Sequence, residues 1–289
     1  MLVHARKIIY PAYRRRQAVV AFNTINAETT LAIARAASAL RRPTLFEVSE
    51  KTITYLGLNT VVELVRTICD DPSIKASLAI HLDHAHTYEI CVAAIKAGFT
   101  SVMIDGSALP FSQNVKLTKR VVDYAHKHNV LVQGEVGALK PVVKGARLVA
   151  ASDLMTDPAQ AREFVAKTGV DTLGVAVGTL HGAMKMFHKL PQIDFSRLNS
   201  IHQLVKIPLA LHGASGVPAK DLKKARSLGV TIVNIDTEIR LSYLTSLRRE
   251  LKSQEHEYDP RVIFYPVIAD IQKTAEQKLK ALSTTYGTR

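Results

Sequence analysis

The feature that most constrains the fold is a strand-then-helix unit that occurs eight times along the chain. Short apolar runs of strand length are each followed by a segment with a helical pattern. The predicted strands are residues 18–22, 44–48, 77–82, 101–104, 130–133, 170–177, 209–211 and 230–235. Runs this apolar are typical of parallel strands that helices cover on both faces. The pattern predicts an α/β protein with a closed (β/α)8 TIM barrel.

The chain is long enough for one such barrel but not for a second domain of similar size. A TIM barrel needs about 250 residues, and the chain has 289. No change in composition divides it, and a last helical segment, residues 259–282, follows the eighth unit. We predict a single domain over residues 1–289 with an extra C-terminal helix. Residues 136–157 form the one long irregular stretch, and such loops are usually functional or mobile.

Charge and composition limit the class of partner. The formal charge of +13 indicates an anionic partner, such as a phosphorylated metabolite, a nucleic acid or a membrane surface. The basic residues are scattered and only 6% of residues are aromatic, so a base-stacking surface is not evident. No signal peptide or transmembrane run is recognisable, and Cys69 and Cys91 do not form a disulfide framework. We predict a cytoplasmic protein that binds neither nucleic acid nor membrane; nucleic-acid binding is the weakest alternative.

Titratable side chains cluster at the end of the third predicted strand. The run 77–82 is followed by Asp83, His84 and, two residues further on, His86. Ligands of barrels and related sheets lie beyond the carboxyl ends of the strands, so we expect these side chains at the mouth. Asp83 is a candidate general acid or base there. The alternative is that Asp83 caps the following helix and that the histidines are ordinary hydrogen-bonded residues.

Two more histidines follow other predicted strands. His181 comes shortly after strand 170–177, and His212 comes directly after strand 209–211. Because all strand ends of a barrel face one mouth, His84, His181 and His212 should converge. Three imidazoles with a fourth position open are the ligand set of a catalytic zinc-type site. Each histidine alone is better explained as a hydrogen-bonded residue, but the three together favour a metal site.

A second group of residues predicts a phosphate site after the last two strands. Small residues at 213–216 leave backbone N–H groups accessible, and Thr237 opens the helix after the eighth strand. Barrels commonly hold phosphate at this position, where Lys185 would add a positive charge. Ordinary turn chemistry is the alternative explanation for the glycines.

Several motifs in this order resemble the class II, metal-dependent fructose-bisphosphate and tagatose-bisphosphate aldolases over nearly the whole chain. They are Ala21-Phe22-Asn23, Leu82-Asp83-His84-Ala85, residues 98–107 (GFTSVMIDGS), Gly178-Thr179-Leu180-His181-Gly182, His212-Gly213-Ala214-Ser215-Gly216 and Asn234-Ile235-Asp236-Thr237. The resemblance implies an enzyme of carbohydrate metabolism (glycolysis), a carbon–carbon lyase. It would reversibly cleave a ketose (bis)phosphate, such as fructose or tagatose 1,6-bisphosphate, into dihydroxyacetone phosphate and an aldehyde. It also implies a homodimer or homotetramer.

The resemblance also implies roles for individual residues. The metal ligands would be His84, His181 and His212, with Zn²⁺ as the expected ion, and Asp83 would move the proton of the hydroxyl beside the breaking bond. The expected phosphate-binding residues are Gly182, Lys185, Gly213, Ser215, Asp236 and Thr237. Asn234 and Ser49 would orient the rest of the dihydroxyacetone phosphate moiety. Asp105 and Glu135 match positions that neighbour or bind a displaced metal, and a monovalent cation is expected near Gly182 and Gly213.

One loop departs from the family pattern. After the fifth strand the family usually carries a glutamate that exchanges a proton with the enediolate carbon, but residues 137–148 contain no carboxylate, and the next one is Asp153. Either Asp153 or a water serves instead, or the substrate differs, or the protein is a non-catalytic sugar-phosphate-binding homologue. Lys140, Lys144 and Arg147 are candidates to contact an anionic far end of the substrate. A metal-dependent TIM-barrel hydrolase, suggested by His84-x-His86, is a further alternative.

Overall fold

The computed structural model describes residues 1–137, 143–144, 147–148, 155–179 and 192–282. Within these residues there are ten strands and eleven helices. The strands are β1 (Val19–Asn23), β2 (Thr44–Ser49), β3 (Leu78–Ala85), β4 (Ser101–Ile104), β5 (Leu131–Val136), β6 (Val143–Lys144), β7 (Arg147–Leu148), β8 (Thr172–Val175), β9 (Leu209–Leu211) and β10 (Val230–Ile235). The helices are α1 (Arg6–Arg14), α2 (Ala27–Ala39), α3 (Glu50–Leu56), α4 (Leu58–Asp70), α5 (Tyr88–Ala97), α6 (Phe111–Lys127), α7 (Pro158–Thr168), α8 (Phe195–Leu204), α9 (Ala219–Ser227), α10 (Thr237–Ser253) and α11 (Pro260–Leu282).

Eight parallel strands close into a barrel in the order β1-β10-β9-β8-β5-β4-β3-β2. Strands and helices alternate around it, so the predicted (β/α)8 barrel is confirmed. The predicted bounds of β4, β9 and β10 agree residue for residue with the structure. The predicted C-terminal helix is also present as α11.

The strands divide their side chains between the helices and the inside of the barrel, because successive residues point to opposite sides. On β2, Phe46 and Val48 belong to the large core cluster beneath the helices. Leu45 belongs to a second cluster inside the barrel with Ala21 and Ala79. Glu47, two residues after Leu45, therefore points inward just below the mouth.

Helix α1 closes the lower end of the barrel and was not predicted. Its residues Ile8, Ile9 and Ala12, together with Ala5 before it, are buried against the inward-facing cluster of the strands. The helix carries an internal proline and three basic residues, Arg6, Lys7 and Arg14, which mask its apolar face in a sequence pattern. The barrel is thus filled from below by apolar side chains, while its upper end is polar.

Four strands run further than predicted, β1 and β2 by one residue and β3 and β5 by three, whereas β8 is shorter than the predicted 170–177. Strand β3 continues to Ala85 and β5 continues to Val136, so Asp83, His84 and Glu135 lie within strands and not beyond them. Between Leu82 and Ala85 the pairing of β3 with β4 shifts in register. At this irregularity His84 has a φ of 48°, a left-handed conformation that is uncommon outside glycine.

One other prediction about local structure was wrong. The stretch 136–157 is not irregular throughout, because β6 and β7 form an antiparallel hairpin in it. Helix α3 was not predicted: it begins directly after β2, where Ser49 accepts a hydrogen bond from the N–H of Thr52 and caps the helix. Within the described residues, no helix combines the length and apolar character that crossing a bilayer requires.

Candidate active site

A cavity of ≈ 390 Å³ opens at the carboxyl ends of the strands. Eleven predicted site residues line it: Ser49, Asp83, His84, Asp105, Glu135, His212, Gly213, Ser215, Asn234, Asp236 and Thr237. The other three, His181, Gly182 and Lys185, lie outside the described residues, as do Lys140 and Asp153. The predicted convergence of distant residues at one mouth is therefore observed for those that the structure describes.

Two predicted metal ligands face each other in this cavity. Nε2 of His84 lies 3.1 Å from Nδ1 of His212, with the rings edge to face. Ligands of a tetrahedral zinc ion with bonds of about 2.0–2.1 Å lie roughly 3.3–3.4 Å apart. The two nitrogens thus need almost no movement to share one ion, and the donor set fits a divalent cation.

Asp105 orients the His84 ring. Its Oδ2 lies 2.7 Å from Nδ1 of His84, while its Oδ1 accepts hydrogen bonds from the N–H and hydroxyl of Ser107. A proton on Nδ1 leaves the lone pair of Nε2 directed at His212, the arrangement that metal-binding histidines usually show. Burial alone would lower the pKa of His84, but the carboxylates of Asp83 and Asp105 outweigh burial and raise it to about 10, so a bound metal ion would have to displace a proton from Nε2.

His212 is held from its other side by a buried amide. Its Nε2 lies 2.7 Å from Nε2 of Gln133, and the hydroxyl of Thr172 donates to Oε1 of the same glutamine. His212 and Gln133 are each about 1% exposed. These contacts hold the ring in place. A metal ion on Nδ1 would put the His212 proton on Nε2, where the Gln133 side chain would have to present its amide oxygen as the acceptor.

Asp83 lines the cavity and does not cap a helix. Asn23 donates a hydrogen bond of 2.9 Å to its Oδ2, whereas its buried Oδ1 has no partner and lies 3.8 Å from Nε2 of His84. Helix α5 is capped by Thr87, so the alternative role for Asp83 was wrong. One carboxylate oxygen is fixed and the other is open to a ligand.

Two sets of side chains bring ligand atoms within 4.8 Å of one another, as a metal site requires. They are Asp83, His84 and His212, and His84, Asp105 and Glu135. His84 belongs to both sets, so one histidine links two neighbouring positions. His86 belongs to neither: its backbone N–H donates to Glu50 and its side chain is largely exposed, which removes the histidine pair of the hydrolase alternative.

The predicted phosphate residues lie together at the other side of the cavity. Gly213 has a φ of 65°, and the hydroxyl of Ser215 accepts a hydrogen bond from the N–H of Asp236. Arg240, one helical turn later, donates to Oδ1 of Asp236 at 2.5 Å. Burial raises the pKa of Asp236, and the Arg240 guanidinium opposes this shift. A cation thus stands beside the predicted phosphate residues.

Sequence reasoning missed four polar residues of this region: Asn23, Glu47, Gln133 and Arg240. Glu47 lies in β2, where it is 1% exposed, and it accepts a hydrogen bond from the Asn234 amide. Asn23, Glu47 and Gln133 lie at or near the end of an apolar run, and this position could have identified them as candidate site residues. Arg240 could have been found from its spacing, four residues after Asp236 on a helix.

Comparison with known proteins agrees with this geometry. The family model described as "Fructose-bisphosphate aldolase class-II" matches residues 3–286. A protein named fructose-bisphosphate aldolase from Geobacillus stearothermophilus is 38% identical over 98% of both chains. One named probable fructose-bisphosphate aldolase from Bacillus subtilis is 37% identical over the same shares.

Solved structures of similar shape cover almost the whole chain. The YdjI aldolase from Escherichia coli K12 superposes with a TM-score of 0.84 at 27% identity and covers 99% of both chains. A putative fructose-1,6-biphosphate aldolase from Coccidioides immitis also gives 0.84, at 26% identity over 96% of both chains. The family match spans the barrel and every described cavity residue. The chain belongs to the class II fructose-bisphosphate aldolase family.

Proposed function

We propose that this protein is a metal-dependent aldolase that reversibly cleaves fructose or tagatose 1,6-bisphosphate into dihydroxyacetone phosphate and an aldehyde. The observation that carries the proposal is the pair of facing nitrogens of His84 and His212 beside the open carboxylate oxygen of Asp83. Retro-aldol cleavage requires a base for a hydroxyl proton and stabilisation of an enediolate, and this cavity offers groups for both.

The family is metal-dependent, and the donor atoms described above fit a divalent cation. We assign His84 and His212 as ligands, with His181 as the third and Zn²⁺ as the ion. Such an ion, when bound, supplies Lewis-acid stabilisation of the negative charge that develops on the ketone oxygen. Asp105 keeps the ligand nitrogen of His84 available. Asp105 and Glu135 are the candidate second position, and Gly182 and Gly213 the candidate site of a monovalent cation.

Asp83 would take the proton from the hydroxyl on the carbon beyond the breaking bond. Asn23 holds Oδ2, so the proton acceptor is the open Oδ1. In the direction of synthesis the same oxygen returns the proton. A positioned carboxylate contributes about 10²–10⁴-fold to such a step.

The phosphate of the dihydroxyacetone half would bind at Gly213, Ser215, Asp236 and Thr237, with Gly182 and Lys185 completing the site. Ser49 and Asn234, on the neighbouring strand ends, would orient the carbon chain. Binding energy from a group remote from the reacting carbons positions them for cleavage. Arg240 supports this half of the cavity through its ion pair with Asp236.

A second candidate is a sugar-phosphate-binding protein without turnover. The specific observation that favours it is the absence of a carboxylate from residues 137–148. It predicts that metal and dihydroxyacetone phosphate bind but that no ketose is cleaved. Under either candidate we propose a cytoplasmic homodimer or homotetramer that binds neither nucleic acid nor membrane.

The test is a coupled assay for release of dihydroxyacetone phosphate from both bisphosphates, with and without a chelator. We expect chelator-sensitive cleavage by the native protein. His212→Ala should lose bound metal and activity together. Asp83→Asn should lower kcat about 10²–10⁴-fold while the bound metal is retained. Asp123→Asn, on the exposed face of α6, is the matched control and should leave activity unchanged.

The outcomes separate the two candidates. Absence of cleavage of both sugars by metal-loaded protein would overturn the aldolase proposal. If dihydroxyacetone phosphate still bound under those conditions, the binding-protein candidate would be supported.

A further inference from the structure

Glu47 is a buried carboxyl group whose presence in the barrel needs an explanation. It lies on β2 beside Asn23 of β1 and His81 of β3, and it is 1% exposed. Burying a carboxyl group in such a place is costly unless hydrogen bonds satisfy both oxygens. A group kept in this position is therefore expected to have a partner for each oxygen in the working state of the protein.

Only one of the two oxygens has such a partner. Oε1 accepts a hydrogen bond from Nδ2 of Asn234, across 187 residues of sequence. Oε2 is buried and has no hydrogen-bond partner, although Glu47 lines the cavity at the mouth. The open oxygen is thus available to a molecule that enters the cavity.

Glu47 does not stand alone in this respect. Oδ1 of Asp83 and Oδ1 of Asn234 are also buried without a partner, and both residues line the same cavity. Three polar oxygens, on β2, β3 and β10, therefore lack hydrogen-bond partners; β2 and β3 are adjacent, and β1 separates β2 from β10. Buried polar groups are nearly always paired, so this side of the cavity is built for a ligand rich in hydroxyl groups.

We propose that Glu47 is a substrate-binding residue, which hydrogen-bonds through Oε2 to the hydroxyl on the ketone-side carbon of the breaking bond. The inference rests on the proposed function, because that function supplies the ligand. In dihydroxyacetone phosphate this is the free hydroxyl. In the ketose, the carbon that bears this hydroxyl lies between the ketone carbon and the carbon whose hydroxyl is assigned to Asp83. Correspondingly, Glu47 lies on β2, which is flanked by β1 with Asn23 and by β3 with Asp83.

The protonation state of Glu47 indicates the direction of this hydrogen bond. Burial, with the negative charge of Asp83 nearby, raises the pKa of Glu47 well above its usual range. The neutral acid donates from Oε2 to the hydroxyl oxygen, and Oε1 still accepts from Asn234. A glutamine has the same shape and the same pair of donor and acceptor, so it should replace Glu47 without loss of binding.

The experiment compares two ligands that differ in one hydroxyl. Dihydroxyacetone phosphate and hydroxyacetone phosphate, in which hydrogen replaces that hydroxyl, are titrated by calorimetry into metal-loaded protein. The ratio of their dissociation constants is measured for the native protein, Glu47→Leu and Glu47→Gln. Glu250→Leu, a change at a buried carboxyl on α10 outside the cavity, is the matched control.

We expect Glu47→Leu to reduce the ratio about tenfold, because one buried hydrogen bond to the hydroxyl is lost. Its affinity for hydroxyacetone phosphate should barely change. Glu47→Gln and Glu250→Leu should keep the native ratio. If Glu47→Leu does not fold, Glu47→Ala provides the same comparison, because it removes both oxygens without adding bulk.

Two results would overturn the inference, and neither is confused with failure of the proposed function. A native ratio in Glu47→Leu, or an equal loss of affinity for both ligands, would mean that Glu47 has a structural role only. Failure of dihydroxyacetone phosphate to bind the native protein would instead refute the proposed function itself.

Discussion

Replacement of Asp105 by asparagine tests whether the site is organised around the His84 ring. The Asp105 side chain accepts from three donors: Nδ1–H of His84 at 2.7 Å, the N–H of Ser107 at 3.0 Å and its hydroxyl at 2.6 Å. An asparagine has one acceptor oxygen and one NH₂ group. Whichever way it turns, either His84 or Ser107 faces a donor in place of an acceptor.

The expected loss of metal affinity follows from the change in protonation and charge at the His84 ring. If the NH₂ group faces His84, the ring proton is driven to Nε2, the nitrogen that faces His212. If the oxygen faces His84, the tautomer is kept but the negative charge behind the ring is lost. Changes to such partners typically cost 10- to 100-fold in metal affinity, which is about 1.4–2.8 kcal/mol.

The assay is a competition titration of Zn²⁺ between a chelating dye and the protein, with folding monitored by circular dichroism. Asp171→Asn is the matched control, because Asp171 pairs with His126 at 2.9 Å outside the cavity. It should lower stability without changing metal affinity. Native metal affinity in a folded Asp105→Asn protein would refute the role given to Asp105.

Two further predictions concern the core. Burial raises the pKa of Cys69 and of Cys91 to about 12. Only roughly one thiol in ten thousand is ionised at pH 8, so neither should react with Ellman's reagent until the protein unfolds in denaturant; rapid labelling of native protein would contradict this. Gly134→Ala should lower the free energy of unfolding by about 1–3 kcal/mol, measured in urea, because the new Cβ would lie 2.7 Å from Cε1 of Phe164. Combining it with Phe164→Leu should cost less than the sum of the two changes, whereas simple additivity would refute this steric account.

The strands of the barrel could be predicted because most of their residues are apolar. Runs such as 101–104 and 230–235 are mostly apolar on both faces, as helices on one side and the barrel interior on the other require. The histidines could be placed at the mouth for the same reason, since a strand end fixes where the next residue goes. The roles of these residues, the single-domain assignment and everything at His181, Gly182 and Lys185 stay predictions.

Partners that are distant in sequence could not be predicted from local patterns. Nothing near Glu47 indicates that Asn234 donates to it, and nothing near His84 indicates that Asp105 accepts from its ring. These contacts depend on strand register. The hydrophobic pattern shows which side of a strand a residue faces, but it does not show which residue of the next strand lies beside it. The left-handed backbone at His84 likewise coincides with a register shift between β3 and β4 that local patterns do not reveal.

Helix α1 also limits how a ligand can reach the cavity. Ala5, Ile8 and Ile9 pack among the inward-facing apolar side chains of the strands. Within the described residues, the barrel is therefore closed at the end opposite the cavity. Under the proposed function, substrate and products would therefore enter and leave by the carboxyl ends of the strands, because α1 closes the other end of the described barrel.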